Sequence, residues 1–222
     1  MFDNVRAILF DLDGTLLSTS KQAPGEMRGS LAFLRFLVPG GDVPRFLRHL
    51  WMATEAPSNY LLASIERLGV NSDLLGLVDR VRRLKGLGTK DRSQLLPGTA
   101  EMLAALKPRY GLALVTGRSR RAAAHFLQEY KLSDFFGVVT TRQDTWLLKP
   151  HPAPIRRTAR LLGLPSGACL MVGDTPMDMR AAKSAGAVAV GVLSGFSELG
   201  ELRQAGADFV LERAADLLIH LT

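Results

Sequence analysis

The sequence predicts an α/β protein with a Rossmann-like parallel sheet, helices on both of its faces, and an inserted all-helical cap domain. Three observations carry this expectation. Short apolar runs end in a polar residue or a glycine, helix-length stretches separate them, and the interval between the first run and the second is long and helical in pattern without a buried strand. The expected catalytic core is 1–16 with 96–222, and the expected cap is 17–95.

The first element is Ala7-Ile8-Leu9-Phe10, an apolar run that stops at Asp11 and reads as a strand buried on both faces. Gly111 to Thr116, Ala168 to Asp174 and Ala187 to Leu193 repeat the form, and Phe136 to Thr140 and Phe209 to Leu211 are shorter candidates. Helical composition fills the gaps at Gly98 to Lys107, Ser119 to Glu129, Pro154 to Leu162, Thr175 to Ser184 and Glu198 to Gln204, with Ala214 to Leu221 closing the chain. In the interval, Leu74, Leu77, Val78, Val81 and Leu84 form one apolar helical stripe. Gly40-Gly41, Pro57 and Gly69 divide it into about four helices, and Pro97-Gly98 marks the return to the core.

Composition bounds the function. The chain has 222 residues, 47% hydrophobic and 22% charged, which is enough to bury a core and excludes disordered and fibrous classes. One cysteine, Cys169, permits no internal disulfide, and no apolar run reaches the roughly 20 residues of a membrane helix. The N-terminus lacks the apolar segment of a secretory signal, so a cytoplasmic protein is expected. The net charge of +7 fits attraction to nucleic acid, an anionic surface or a phosphorylated substrate.

In such sheets ligands bind at the carboxyl ends of the strands, where Asp11, Thr116 and Asp174 fall. Asp11 and Asp13 stand two residues apart in Asp-Leu-Asp-Gly-Thr, and Asp174 and Asp178 lie in Gly-Asp-Thr-Pro-Met-Asp. Thr175 suits an N-cap, Pro176 the first helical position, and Asp178 the third, so Asp178 serves equally as a capping residue or a ligand. Asp174 lies outside the helix. Carboxylates gathered at one edge repel unless a cation or proton intervenes, and a hard, oxygen-preferring metal such as Mg²⁺ answers that need. Thr116 and Gly117 end a third strand before the N-cap candidate Ser119, and Lys149 sits in the Pro-flanked segment Lys149-Pro150-His151-Pro152.

The ordered set Asp-x-Asp, Thr-Gly, Lys-Pro and Gly-Asp-x-x-x-Asp resembles the haloacid dehalogenase superfamily. KPHPAP, MVGDTPMDM, AAKSAGA and AGADFVLERAADLL look most like its phosphoglycolate phosphatase-like branch. The resemblance implies a phosphoric monoester hydrolase in which Asp11 is the nucleophile and Asp13 the general acid and base. It implies that Mg²⁺ is held by Asp11, the backbone carbonyl of Asp13, Asp174 and Asp178, the last directly or at one remove. Thr116 and Gly117 would bind phosphate oxygens, and Lys149 would neutralise the nucleophile and the phosphoryl group. Dehalogenating members lack the second aspartate, so Asp13 points to phosphorus.

The expected partner is a small phosphorylated metabolite, phosphoglycolate-like, with no nucleic acid and no membrane, on a monomer or homodimer. Two alternatives stand beside it. A phosphosugar mutase related to beta-phosphoglucomutase shares the four motifs, and a basic nucleic-acid-binding module would account for the charge. Against the latter, the run Arg80, Arg82, Arg83, Lys85, Lys90 and Arg92 has no interleaved aromatic residue. That run either receives a second anionic group of the substrate or forms a solvated face. Residues 17–95 carry 12 Lys and Arg against 7 Asp and Glu, so most of the excess charge belongs to the insertion. His49, His125, His151 and His220 have no metal-ligand spacing, and Cys169 reads as a core residue.

Overall fold

A computed structural model describes residues 4–18 and 94–221. Eight strands occur among these residues: β1 Ala7–Phe10, β2 Leu17–Ser18, β3 Gln94–Leu95, β4 Gly111–Val115, β5 Val138–Thr140, β6 Cys169–Gly173, β7 Val188–Val192 and β8 Phe209–Leu211. Six of them form one sheet in the order β5-β4-β1-β6-β7-β8. Every neighbouring pair is parallel, as the alternation of strand and helix demands.

β1 is central and wholly buried, with Ile8 opposite Leu112 on one side and Leu170 on the other. Its apolar run has no polar alternation because both faces are covered. Side chains alternate across the sheet, so the pleat divides the core into two clusters. Ile8, Phe10, Leu112, Leu114, Leu170 and Val172 face one way, toward Met102, Leu103, Phe126 and Leu127 of the helices Thr99–Leu106 and Arg120–Glu129. Ala7, Leu9, Ala113, Val115, Cys169 and Met171 face the other. They meet Ile155, Met179 and Leu202 of the helices Ala153–Leu161, Pro176–Ala185 and Leu199–Gln204. Each fully buried Leu, Ile or Phe contributes about 1.5–3 kcal/mol, so both helical layers are held by the sheet rather than by helix propensity.

Local chemistry sets the helix ends. The Ser119 hydroxyl accepts from the Ala122 N–H at 3.3 Å, as its N-cap position requires. Helix Pro176–Ala185 ends on Gly186, whose φ of 81° is a left-handed closure that glycine adopts without a steric penalty. The C-terminal stretch is a 3₁₀ turn, Ala214–Leu217, running into the helical turn Leu218–Leu221.

β2 and β3 form a separate antiparallel pair, with Leu17 opposite Leu95 and Ser18 opposite Gln94. The chain therefore leaves the sheet and returns to it along adjacent strands. The all-helical cap expected between these points, its apolar stripe and its basic run lie outside the described residues. Among the described residues no helix is long and apolar enough to cross a membrane.

Candidate active site

Asp11, Thr116 and Asp174 follow directly on β1, β4 and β6, which are neighbours in the order β4-β1-β6. The chain moves outward from β1 through β4 to β5 and then recrosses to β6, so these three residues stand where the winding direction reverses. That crevice at the carboxyl edge is the ligand position of an open parallel sheet.

The carboxylates of Asp11, Asp174 and Asp178 come together there, with oxygens of all three within 4.8 Å of one another, and all three residues are buried. Lys149 enters from the segment after β5. Its Nζ donates to Asp11 Oδ1 at 2.6 Å, to Asp178 Oδ1 at 2.5 Å and to the Val115 carbonyl at 3.1 Å. Burial alone would depress the lysine, but Asp11 and Asp178 overcome it and hold the ammonium charged well above its usual range. Burial pushes the Asp11 carboxyl up to about 7; Lys149 opposes the shift, while the charges of Asp178 and Asp13 add to it. Two carboxylates thus compete for one ammonium.

Three carboxylates and one ammonium leave a formal charge of −2, the charge that one divalent cation cancels. The donor set is all oxygen, which suits Mg²⁺ better than a softer metal. The residues therefore fit the ion that the sequence implies.

Asp178 divides its two oxygens between two tasks. Oδ2 accepts from the Thr175 N–H at 3.1 Å and the Thr175 hydroxyl at 2.6 Å, while the Thr175 Oγ1 accepts from the Asp178 N–H, completing a capping box. Oδ1 faces Lys149. The capping reading of the sequence is realised, and the same side chain stands in the three-acid group beside Lys149. Gly173 makes room for it, since a Cβ there would overlap the Asp178 side chain.

Asp174 is held by residues that sequence reasoning passed over. Its Oδ2 accepts from the Phe196 N–H at 3.0 Å. Gly14 and Gly195 pack against the carboxylate so closely that a Cβ on either would overlap it. Gly14 also has φ 78°, so its turn and its contact require the same residue. The Ser194 hydroxyl donates to the Gly14 carbonyl at 2.7 Å and ties the loop after β7 to the first motif. The only sign in the sequence was a Ser-Gly-Phe step directly behind an apolar strand.

The carboxylate of Asp13 is not among the three gathered acids and is bound by Arg118. The Arg118 Nε donates to Asp13 Oδ2 at 2.8 Å and Oδ1 at 3.1 Å, and Nη2 donates to Oδ1 at 2.5 Å. Arg118 is a second site residue missed in the sequence, where it followed Thr-Gly without periodicity or spacing of its own. Thr116 is buried, its N–H donates to the Thr140 carbonyl at 2.9 Å, and its Oγ1 accepts from the Arg118 N–H at 3.1 Å. A hydroxyl that accepts in this way keeps its proton to donate elsewhere. The Gly117 carbonyl faces Arg142 Nη1 at 3.4 Å.

Cys169 is buried and reduced within β6, as its apolar surroundings predicted. Among the described residues the histidines do not join the acidic group, and His49 lies outside them.

Comparison with known proteins agrees with this geometry. Residues 5–186 match the model of a hydrolase family described as haloacid dehalogenase-like hydrolase. A phosphoglycolate phosphatase of Shigella boydii serotype 4 is 28% identical over 239 residues, covering 98% of this chain and 92% of that protein. A hydrolase from Pseudomonas syringae superposes with a TM-score of 0.68 at 28% identity and 97% coverage of both chains. A protein from Thermotoga maritima described as a putative beta-phosphoglucomutase superposes at 0.66 with 24% identity, covering 98% of each chain; that similarity speaks to the fold alone.

Proposed function

The chain belongs to the haloacid dehalogenase-like hydrolases, and from that premise we propose that it is a Mg²⁺-dependent phosphatase. Its substrate is a small phosphorylated metabolite of the phosphoglycolate kind, and the reaction proceeds through an aspartyl-phosphate. The observation that carries this reading is the group Asp11, Asp174 and Asp178 with Lys149 between two of its members, buried at the switch point and short of one divalent charge. The 28% identity to a phosphoglycolate phosphatase along nearly the whole chain supports the substrate class.

Asp11, the Asp13 backbone carbonyl and Asp174 would hold the metal, with Asp178 beside them. When bound, Mg²⁺ supplies positive charge to the phosphoryl oxygens and keeps Asp11 ionised. An Asp11 oxygen attacks phosphorus, the bond to the leaving oxygen breaks, and Asp13 gives that oxygen a proton. Water then attacks the phosphorus of the aspartyl-phosphate, Asp13 takes its proton, and Asp11 is released with inorganic phosphate. Thr116 and the Gly117 N–H donate to phosphoryl oxygens. Lys149 neutralises charge that grows on them in the transition state, and phosphoryl transfer depends mainly on such positioned charge.

The test is hydrolysis of para-nitrophenyl phosphate by the purified protein. Activity that is lost in Asp11→Asn and with excess EDTA, and restored by Mg²⁺, is expected. Undiminished turnover in either case overturns the assignment. Product analysis with a hexose 1-phosphate distinguishes a hydrolase, which releases inorganic phosphate, from a mutase, which returns the phosphoryl group to the sugar.

A further inference from the structure

Arg118 binds both oxygens of Asp13 through Nε and Nη2, three contacts on one carboxylate, and neither side chain is more than a quarter exposed. This is the bidentate, planar form of the ion pair, which fixes an angle as well as a distance. The arginine is itself held from behind. Its N–H donates to Thr116 Oγ1, and its carbonyl accepts from the Arg142 N–H at 3.3 Å. The chain from β4 thus delivers a planar fork to Asp13, while Lys149 is bonded to Asp11 and Asp178.

We propose that Arg118 is a positioning residue that sets the plane of the Asp13 carboxylate, and so determines how well the enzyme serves substrates whose leaving oxygen requires a proton. The proposal rests on the acid role assigned to Asp13 above. A carboxylate on a short, partly exposed side chain can rotate about its terminal bond. Proton delivery needs one oxygen aimed at the leaving group, and a misplacement of about 1 Å costs roughly 100-fold. Arg118 removes that freedom at a site where the metal and Lys149 cannot, because they engage other groups.

The experiment compares kcat/KM for 4-nitrophenyl phosphate and phenyl phosphate in the full-length, Mg²⁺-loaded protein. This parameter covers the steps through loss of the leaving group, and the two substrates share a phosphoryl group but differ in how far the departing oxygen depends on a proton. In Asp13→Asn the ratio of 4-nitrophenyl to phenyl phosphate should rise by about 100-fold, within the range of general acid catalysis. In Arg118→Ala it should rise by about ten-fold, and in Arg118→Lys, which keeps the charge and loses the planar fork, by a smaller but measurable factor. Arg118→Gln supplies the same comparison if the alanine variant does not fold. An equal loss on both substrates in the Arg118 variants, with the ratio fixed, makes Arg118 merely structural and overturns the proposal. A ratio unchanged in Asp13→Asn overturns the acid role itself and the proposal with it, so the two failures are distinguishable.

Discussion

Gly195 and Asp174 share one corner of the site: a Cβ on Gly195 would stand 2.5 Å from the Asp174 Cβ and overlap the carboxylate beyond it. Both Cβ positions are fixed by backbone, so no rotation of the Asp174 side chain relieves the overlap. The loop that offers the Phe196 N–H must move instead. Gly195→Ala is therefore expected to weaken Mg²⁺ or Mn²⁺ binding, read by calorimetric titration, by about ten-fold or more, and to cost about 1–3 kcal/mol of stability as overpacking does. Unchanged metal affinity would detach this loop from the site.

Metal binding should compete with a proton. Asp11 sits with its carboxyl raised from an ordinary 3.8 to about 7 by burial and by the neighbouring acids. Between those values the folded, metal-free chain holds a proton that the unfolded chain has released. This group's contribution to the stability of the metal-free protein accordingly falls as pH rises from about 4 to about 7. A divalent ion displaces the proton, so its affinity should climb with pH up to about 7 and then level off, with up to one proton released below that point. Titrations in two buffers of different ionisation enthalpy measure that release. A flat profile from about pH 5.5 to 8 would show that Asp11 is already ionised in the metal-free protein.

Asp178 offers a substitution that separates its two tasks. Alanine removes the acceptor for Thr175 and the partner of Lys149 together. Asparagine retains one oxygen, so whichever way the amide turns, one of the two contacts survives. Loss of the cap alone costs about 1 kcal/mol. Asp178→Asn should unfold at a denaturant concentration between those of the wild type and Asp178→Ala, while both variants bind Mg²⁺ less tightly. Equal midpoints for the two variants would mean that the contact which asparagine keeps contributes nothing to stability.

Cys169 should be inert. It is fully buried in β6, its thiol lies 3.7 Å from the Pro165 carbonyl, and burial pushes the thiol up to about 11. The thiolate is the reactive form, so at neutral pH a thiol reagent should modify the native protein many times more slowly than the urea-unfolded one. Comparable rates would indicate opening of the sheet beside the site.

The centre of the sheet was legible because β1, β4 and β6 carry apolar runs and are each followed by a polar residue at the crevice. Asp11, Thr116 and Asp174 announce themselves by that position, and Lys149 by the stiff, Pro-flanked segment that delivers it. Gly195 and Arg118 do not, for different physical reasons. Gly195 acts by what it lacks, and the contact that demands a missing side chain appears only once β6 and β7 stand side by side. Arg118 acts across 105 residues of sequence on Asp13, and no local spacing encodes such a pairing. Asp178 was ambiguous in the sequence because its third helical position serves a cap and also brings it beside Asp11 and Lys149.

The paired strands β2 and β3 carry a consequence for inheritance and engineering. Leu17 and Leu95 face each other at the two ends of the interval they bracket, and Leu17 is part of the buried core. Closing a chain between two fixed neighbours costs free energy only logarithmically in its length, about 0.6 kcal/mol for each doubling. This is a graft point: segments of very different size can be exchanged there by recombination while the catalytic strands keep their register. We propose that the inserted segment governs substrate choice; a chimera that swaps residues 19–93 for a relative's segment is then expected to change which phosphorylated substrate is hydrolysed.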